Sequence, residues 1–181
     1  MTQSKTLRRW ELALLLGVAL AALLGVWLDG AQAALSDRVI RLHVLANSDS
    51  EADQALKLRV RDAVLAEAEE LFVPGAGRAE TEELLRAHLY DLAAAGAEVV
   101  GEARYSYPVT ASLVHDYWFP PKTYTDFALP AGAYTALRIE IGAGGGQNWW
   151  CVVFPPLCLG SVSETTQETA LEAGLTENQV S

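Results

Sequence analysis

The chain has 181 residues, which is enough for one domain with short additional segments. It carries 13 Lys and Arg against 23 Asp and Glu, a formal net charge of −10. This acidic balance disfavours nucleic acid and anionic lipid surfaces as partners.

The N-terminus has the pattern of a secretory signal peptide. A basic segment precedes an uncharged apolar run from Leu12 to Leu28, and Ala31 and Ala33 form an Ala-x-Ala site. We therefore predict that residues 1–33 are a signal, cleaved before Ala34. The alternative is a retained membrane anchor, but the apolar run would extend only about 25 Å as a helix, less than the ~30 Å of a hydrocarbon core. In both cases the basic N-terminal side places the rest of the chain outside the cytoplasm.

The first element of the predicted domain is a strand that leads into a helix. Residues 39–47 alternate in the manner of a half-buried strand. Ser50 and Asp53 resemble a capping box at the start of a helix over residues 51–72. Asp53 stands four residues before Lys57, which is the favourable order for an ion pair.

A shorter helix is predicted next, over residues 81–95, with Gly96 as the residue that ends it. The remainder is rich in strands, which we expect at residues 109–117, 127–130, 134–141 and 148–154. We interpret the glycine run 142–146 as a flexible hairpin loop, because it lacks the Lys-Ser/Thr pair and the following helix of a phosphate-binding loop.

The last predicted strand, residues 148–154, is almost wholly apolar and is therefore expected at the centre of the sheet. Its adjacent Trp149 and Trp150 should point to opposite faces, both in the core unless one of them is an exposed binding anchor.

The order of these elements predicts one α+β domain over residues 37–159, in which β-α-α is followed by a mostly antiparallel sheet of about four to five strands. Residues 160–181 contain acidic residues, no Lys or Arg, and many Ser, Thr and Gln. We expect them to form a disordered acidic tail.

Cys151 and Cys158 are the two cysteines of the chain. Export favours a disulfide between them, although two buried free thiols remain an equal alternative. A catalytic thiol at Cys151 would need a nearby base such as His43. The predicted position of Cys151 within a buried strand disfavours this role, because reactive thiols lie in partly exposed electropositive sites.

A metal site is the other chemistry that the pattern allows. His43, Asp49 and Asp53 are ligand types that could bind a metal. However, Asp and Asn before a helix are also what an N-cap requires, and His43 is expected to be a hydrogen-bonded boundary residue. We therefore predict no metal, no cofactor and no catalytic residue.

Two long segments resemble the stage II sporulation protein R family of endospore-forming bacteria: RLHVLANSDSEADQALKLRVRD at residues 41–62 and GQNWWCVVFPPLC at residues 146–158. Residues 107–113 and 127–142 are similar to the family as well. Relatives continue after the second cysteine into a further structured segment, whereas this chain continues into a short acidic tail.

The resemblance implies a signalling protein rather than an enzyme. Members are secreted by the forespore into the space between the forespore and mother-cell membranes. There they activate a membrane-embedded aspartic protease that processes the sigma-E precursor. We expect the chain to contact the membrane only through its N-terminal segment.

No established binding residues can be transferred from the family. Eight residues of the two long segments are our candidates for contacting the protease: His43, Asn47, Asp49, Lys57, Arg61, Gln147, Asn148 and Trp149. The alternative function is a secreted hydrolase that acts on cell wall or peptide through Cys151 or through a metal at His43 and Asp49.

Overall fold

The computed structural model describes residues 9–123 and 128–156. By its internal contacts the chain divides into two units, Met1–Leu35 and Ser36–Ser181. The described part of the first unit lies within one long helix, α1 (Arg9–Ser36), whose last residue is the first of the second unit. Within it, Arg9–Trp27 has a mean hydropathy of 2.0 and is long and apolar enough to cross a membrane, as a signal sequence also would be.

The length of this helix bears on the choice between signal and anchor. The 19 residues of Arg9–Trp27 extend over about 28 Å, which nearly matches a hydrocarbon core. The helix also continues without interruption through Ala31 and Ala33. Helix length therefore does not exclude an anchor, and cleavage before Ala34 stays a prediction.

The second unit has the predicted α+β architecture. A four-stranded sheet has the order β2-β5-β1-β6, with β1 and β5 parallel and the other neighbours antiparallel, and β3 and β4 form a separate two-stranded sheet. The elements are β1 (Ile40–Leu45), α2 (Glu51–Glu70), α3 (Arg78–Ala87), α4 (Leu89–Glu102), β2 (Val109–Phe119), β3 (Lys122–Thr123), β4 (Ala128–Leu129), β5 (Gly132–Ile141) and β6 (Asn148–Phe154).

The strand β1 lies inside the sheet, between β5 and β6, and all six of its residues are buried. The prediction of a half-buried strand is therefore wrong. Alternation of residue types shows which side chains share a face, but it does not show that the second face is also covered.

The strand β6 is an edge strand among the described residues, so its predicted central position is wrong. Because β1 separates β5 from β6, residues 142–147 do not close a hairpin but cross the end of β1. An apolar run indicates burial, and the buried residues Cys151, Val152 and Val153 agree with that, but it does not determine which strands are neighbours.

The main core lies between the sheet and the helices. Alternate residues of β1, β5 and β6 pack there against α2 and α4, because side chains of a strand alternate between the two faces. The fully buried members include Leu42, Val44, Val60, Val64, Leu85, Leu92, Leu137 and Ile139.

The helices differ from the prediction in one respect. The cap of α2 is confirmed, since the backbone N–H of Asp53 donates to Ser50 Oγ at 3.2 Å. The predicted second helix is instead two helices, and α4 continues past Gly96. A Cβ on this glycine would approach Val109 Cγ1 to 3.0 Å and Val60 Cγ1 to 3.1 Å. Gly96 thus allows close packing within α4. The prediction that it ends a helix is wrong.

Several predictions lie outside the described residues. These are Phe127, Cys158 and the acidic tail over residues 160–181. The disulfide between Cys151 and Cys158, the disorder of the tail and the domain limits 37–159 therefore stay predictions.

Candidate functional site

Two loops meet at the end of β1, and Asn47 joins them. Its Nδ2 donates to Asp53 Oδ2 at 2.9 Å, in the first turn of α2. From the β5–β6 loop, the N–H of Ala143 donates to Asn47 Oδ1 at 3.0 Å and the N–H of Gly145 donates to Asn47 O at 3.2 Å. A single asparagine therefore joins the Asp53 carboxylate to two backbone N–H groups of the β5–β6 loop.

Glycines in the β5–β6 loop make this contact sterically possible. Gly142 has a φ of 59°, and a Cβ there would collide with the side chain of Asn47. A Cβ at Gly146 would collide with the carbonyl of Ser48. The glycine run is thus needed for close approach of two backbones, and the loop that we predicted to be flexible is fixed by hydrogen bonds.

Gln147 is held by its backbone on both sides. Its N–H donates to Asp49 Oδ1 at 2.7 Å, and its carbonyl accepts from Lys57 Nζ at 2.9 Å. Lys57 also donates to Gln54 Oε1 at 2.6 Å, and burial lowers the pKa of this lysine. The backbone is fixed while Gln147 itself stays exposed. We refer to residues 47–49, Lys57 and residues 142–147 as the loop clamp.

The predicted ion pair between Asp53 and Lys57 does not form, because both residues, which the structure describes, have other partners. Asp53 accepts from Ser48 Oγ at 2.5 Å as well as from Asn47. These two hydrogen bonds lower the pKa of Asp53. The carboxylate therefore organises the β1–α2 loop and leaves the lysine to fix the other loop.

Beside the loop clamp, α2 contacts β6 through a cation–π pair. Arg61 Cζ lies 4.5 Å from the centroid of the Trp149 ring, which remains 37% exposed. Leu58, one helical turn before Arg61, is also partly exposed. Trp149 pairs with Val44 and Trp150 with His43, so the two tryptophans occupy opposite faces as predicted.

His43 lies on the face of the sheet opposite the helices. It is 1% exposed, and its Nε2 is 2.7 Å from Asn148 Oδ1. Burial is the main reason that the pKa of His43 is lowered. Its ring is 5.0 Å from that of Tyr117 and 6.3 Å from that of Trp150, so it is surrounded by aromatic side chains. The expected boundary position is wrong, whereas the expected hydrogen bond is present.

The strand register separates the groups that a hydrolase would combine. Cys151 pairs with Leu42 and faces the helices, whereas His43 pairs with Trp150 on the opposite face. The two side chains therefore do not form a nucleophile–base pair. Within residues 9–123 and 128–156, no group of three His, Cys, Asp or Glu side chains is arranged to hold a metal ion.

The eight candidate residues lie toward one end of the sheet but not on one surface. His43 and Asn148 pair on the face opposite the helices, whereas Arg61 and Trp149 pair on the helix side. Contacts among β1, α2 and β6 connect them in pairs: His43 with Asn148, Asp49 and Lys57 with Gln147, and Arg61 with Trp149. The sequence analysis missed Ser48 and Gln54. The glycine run at residues 142–146 was a signal for the loop clamp, but the sequence did not show that this run contacts Asn47 and Ser48.

Comparison with known proteins agrees with the sequence resemblance. A family model described as stage II sporulation protein R matches residues 36–164. Stage II sporulation protein R of Bacillus subtilis (strain 168) is 40% identical over 126 residues, which are 68% of this chain and 55% of that protein. The matched part thus spans about half the length of this relative, and no solved structure matches the chain. The chain belongs to the stage II sporulation protein R family.

Proposed function

We propose that this chain is an exported signalling protein of sporulation that acts between forespore and mother cell. In this proposal it reaches the space between the two membranes and activates a membrane-embedded aspartic protease that processes the sigma-E precursor. Family membership supports the sporulation role. The apolar N-terminal helix supports export, whether it is cleaved or retained.

The observation that carries the proposal is a fixed and partly exposed surface next to the loop clamp. Trp149 and Arg61 are residue types enriched among those that dominate binding energies. The backbone of Gln147 is held by two hydrogen bonds, so its exposed side chain is presented without a large ordering cost on binding. A rigid surface of this kind is suited to contact with a partner.

The alternative function, a secreted hydrolase, gains no support from the geometry. His43 is buried within an aromatic cluster and Cys151 lies on the other face of the sheet. Asp49 accepts a hydrogen bond from the Gln147 backbone. The groups that this alternative requires therefore have structural roles in different places.

The test is reconstitution in a bacterium that does not sporulate. The protease, the sigma-E precursor and the full chain are expressed together, and precursor cleavage is followed by immunoblot. We expect cleavage with the wild-type chain and a strong loss with Trp149→Ala. Tyr90→Ala is the matched control, because Tyr90 is 83% exposed on α4 and belongs to none of the contacts described above.

Two results would contradict the proposal. One is absence of cleavage with an exported, folded wild-type chain. The other is loss of cleavage with Cys151→Ala in a chain that is still folded and exported, since this would indicate an enzymatic role. Equal activity of the Trp149 and Tyr90 variants would leave the signalling role intact but exclude this surface.

A further inference from the structure

One end of the domain is connected to α1, and it is the end at which β1 begins. Only residues 37–39 separate the last residue of α1, Ser36, from the first residue of β1, Ile40. A link of three residues extends over roughly 10–14 Å at most. The apolar span of α1 ends at Trp27, and residues 28–36 continue the helix for about 13 Å beyond it. If α1 enters a bilayer, the chain therefore tethers this end of the domain within roughly 25 Å of the hydrocarbon core.

This same end carries the most exposed tryptophan of the domain among the described residues. Ser36, Asp37 and Ala133 together line a polar cleft of 330 Å3, and Ala133 is paired with Trp118 across β2 and β5. Trp118 is 63% exposed. The connection to α1 and an exposed indole thus occur side by side.

The residues around Trp118 suit a membrane interface. Pro121, Ala128 and Ala133 are exposed, as is Lys122 at the start of the small β3–β4 sheet. A tryptophan has an apolar ring with one polar N–H and is enriched at headgroup level, where a lysine can extend its ammonium group to water. Asp37 and Asp116 nearby are acidic, so attraction to anionic lipid is not the driving force.

We propose that the end of the domain formed by Trp118, Pro121, Lys122 and Ala133 rests on the lipid surface while α1 is attached. The sequence alone had confined membrane contact to the N-terminal segment. The loop clamp lies at the opposite end of β1, about 20 Å away at strand spacing, and would face away from the lipid. The proposal depends on α1 entering a bilayer and not on the identity of any protein partner.

The experiment uses the full, uncleaved chain in vesicles of zwitterionic phosphatidylcholine that is brominated near the headgroup. Bromine quenches tryptophan emission only at short range. Wild type, Trp118→Phe and Trp149→Phe are compared, and both substitutions keep an aromatic ring at a partly exposed position. The difference between wild type and each variant isolates the emission of one tryptophan from that of the others, which include Trp10 and Trp27 in α1 and Trp150 in β6.

We expect most of the emission that Trp118→Phe removes to be quenched by brominated lipid. The emission that Trp149→Phe removes should be unquenched, because Trp149 lies at the other end of the sheet. Equal quenching of the two would overturn the proposal. Failure of the full chain to float with the vesicles would overturn it as well. A loss of sigma-E precursor processing in the variants is a separate readout and does not decide this question.

Discussion

At the scale of the residue, His43 shows how much burial changes a familiar side chain. A histidine in the unfolded chain has a pKa near 6.5. Burial lowers the pKa of His43 in the folded domain below that value. Below that pH the unfolded state binds the proton first. The free energy of unfolding should therefore fall as the pH decreases from 7 through 6.5 toward the folded-state pKa.

His43→Gln removes this titration and keeps an amide that can bond Asn148. We expect the wild type to lose stability between pH 7 and pH 5.5 by at most about 1.4 kcal/mol per pH unit more than the variant. Urea unfolding of both chains at the two pH values measures the difference. The same pH dependence in wild type and variant would show that His43 is not protected from protonation.

Asn47 is a second example at this scale. An asparagine shortly before a helix is typical of a turn or an N-cap. In the structure it accepts from Ala143 and donates to Asp53, so it connects segments that lie 96 and 6 residues away. The local role was visible in the sequence, whereas the contact with the distant loop was not.

At the scale of the element, Gly96 determines how closely α4 packs on α2 and β2. Because a Cβ would approach Val109 and Val60 to about 3 Å, Gly96→Val should strain this contact. We expect a loss of about 1–3 kcal/mol in the free energy of unfolding, as for other overpacked sites. Denaturant unfolding followed by circular dichroism measures it.

Gly101→Ala is the control within the same helix, because nothing lies within 4 Å of a Cβ at that position. It should be neutral or stabilise the domain by up to about 1 kcal/mol, since alanine is the better helix former. A similar loss with both substitutions would mean that close packing at Gly96 is not the cause of the effect.

At the scale of the whole molecule, processing of α1 decides whether the domain is released or anchored. We predict export followed by cleavage before Ala34. Intact mass of the exported chain distinguishes the outcomes, since processing gives a chain that begins at Ala34 and an anchor gives the full mass. A membrane fraction that holds only the full-length species would show the prediction to be wrong.

The sequence by itself determined the fold class, the helix cap at Ser50 and most strand positions. These features depend on local periodicity and capping chemistry, or on segments that resemble a family. The helix break at His88 and the packing role of Gly96 could not be foreseen, because local propensity does not report what a helix packs against.

Only the tertiary structure decided which strands are neighbours and how the site is assembled. The insertion of β1 between β5 and β6 buries both of its faces, places Cys151 and His43 on opposite sides of the sheet, and carries residues 142–147 across the end of β1. Strand order depends on contacts between residues that are distant in the sequence. A local pattern fixes the face on which a side chain lies, but it does not fix the partner that the side chain meets there.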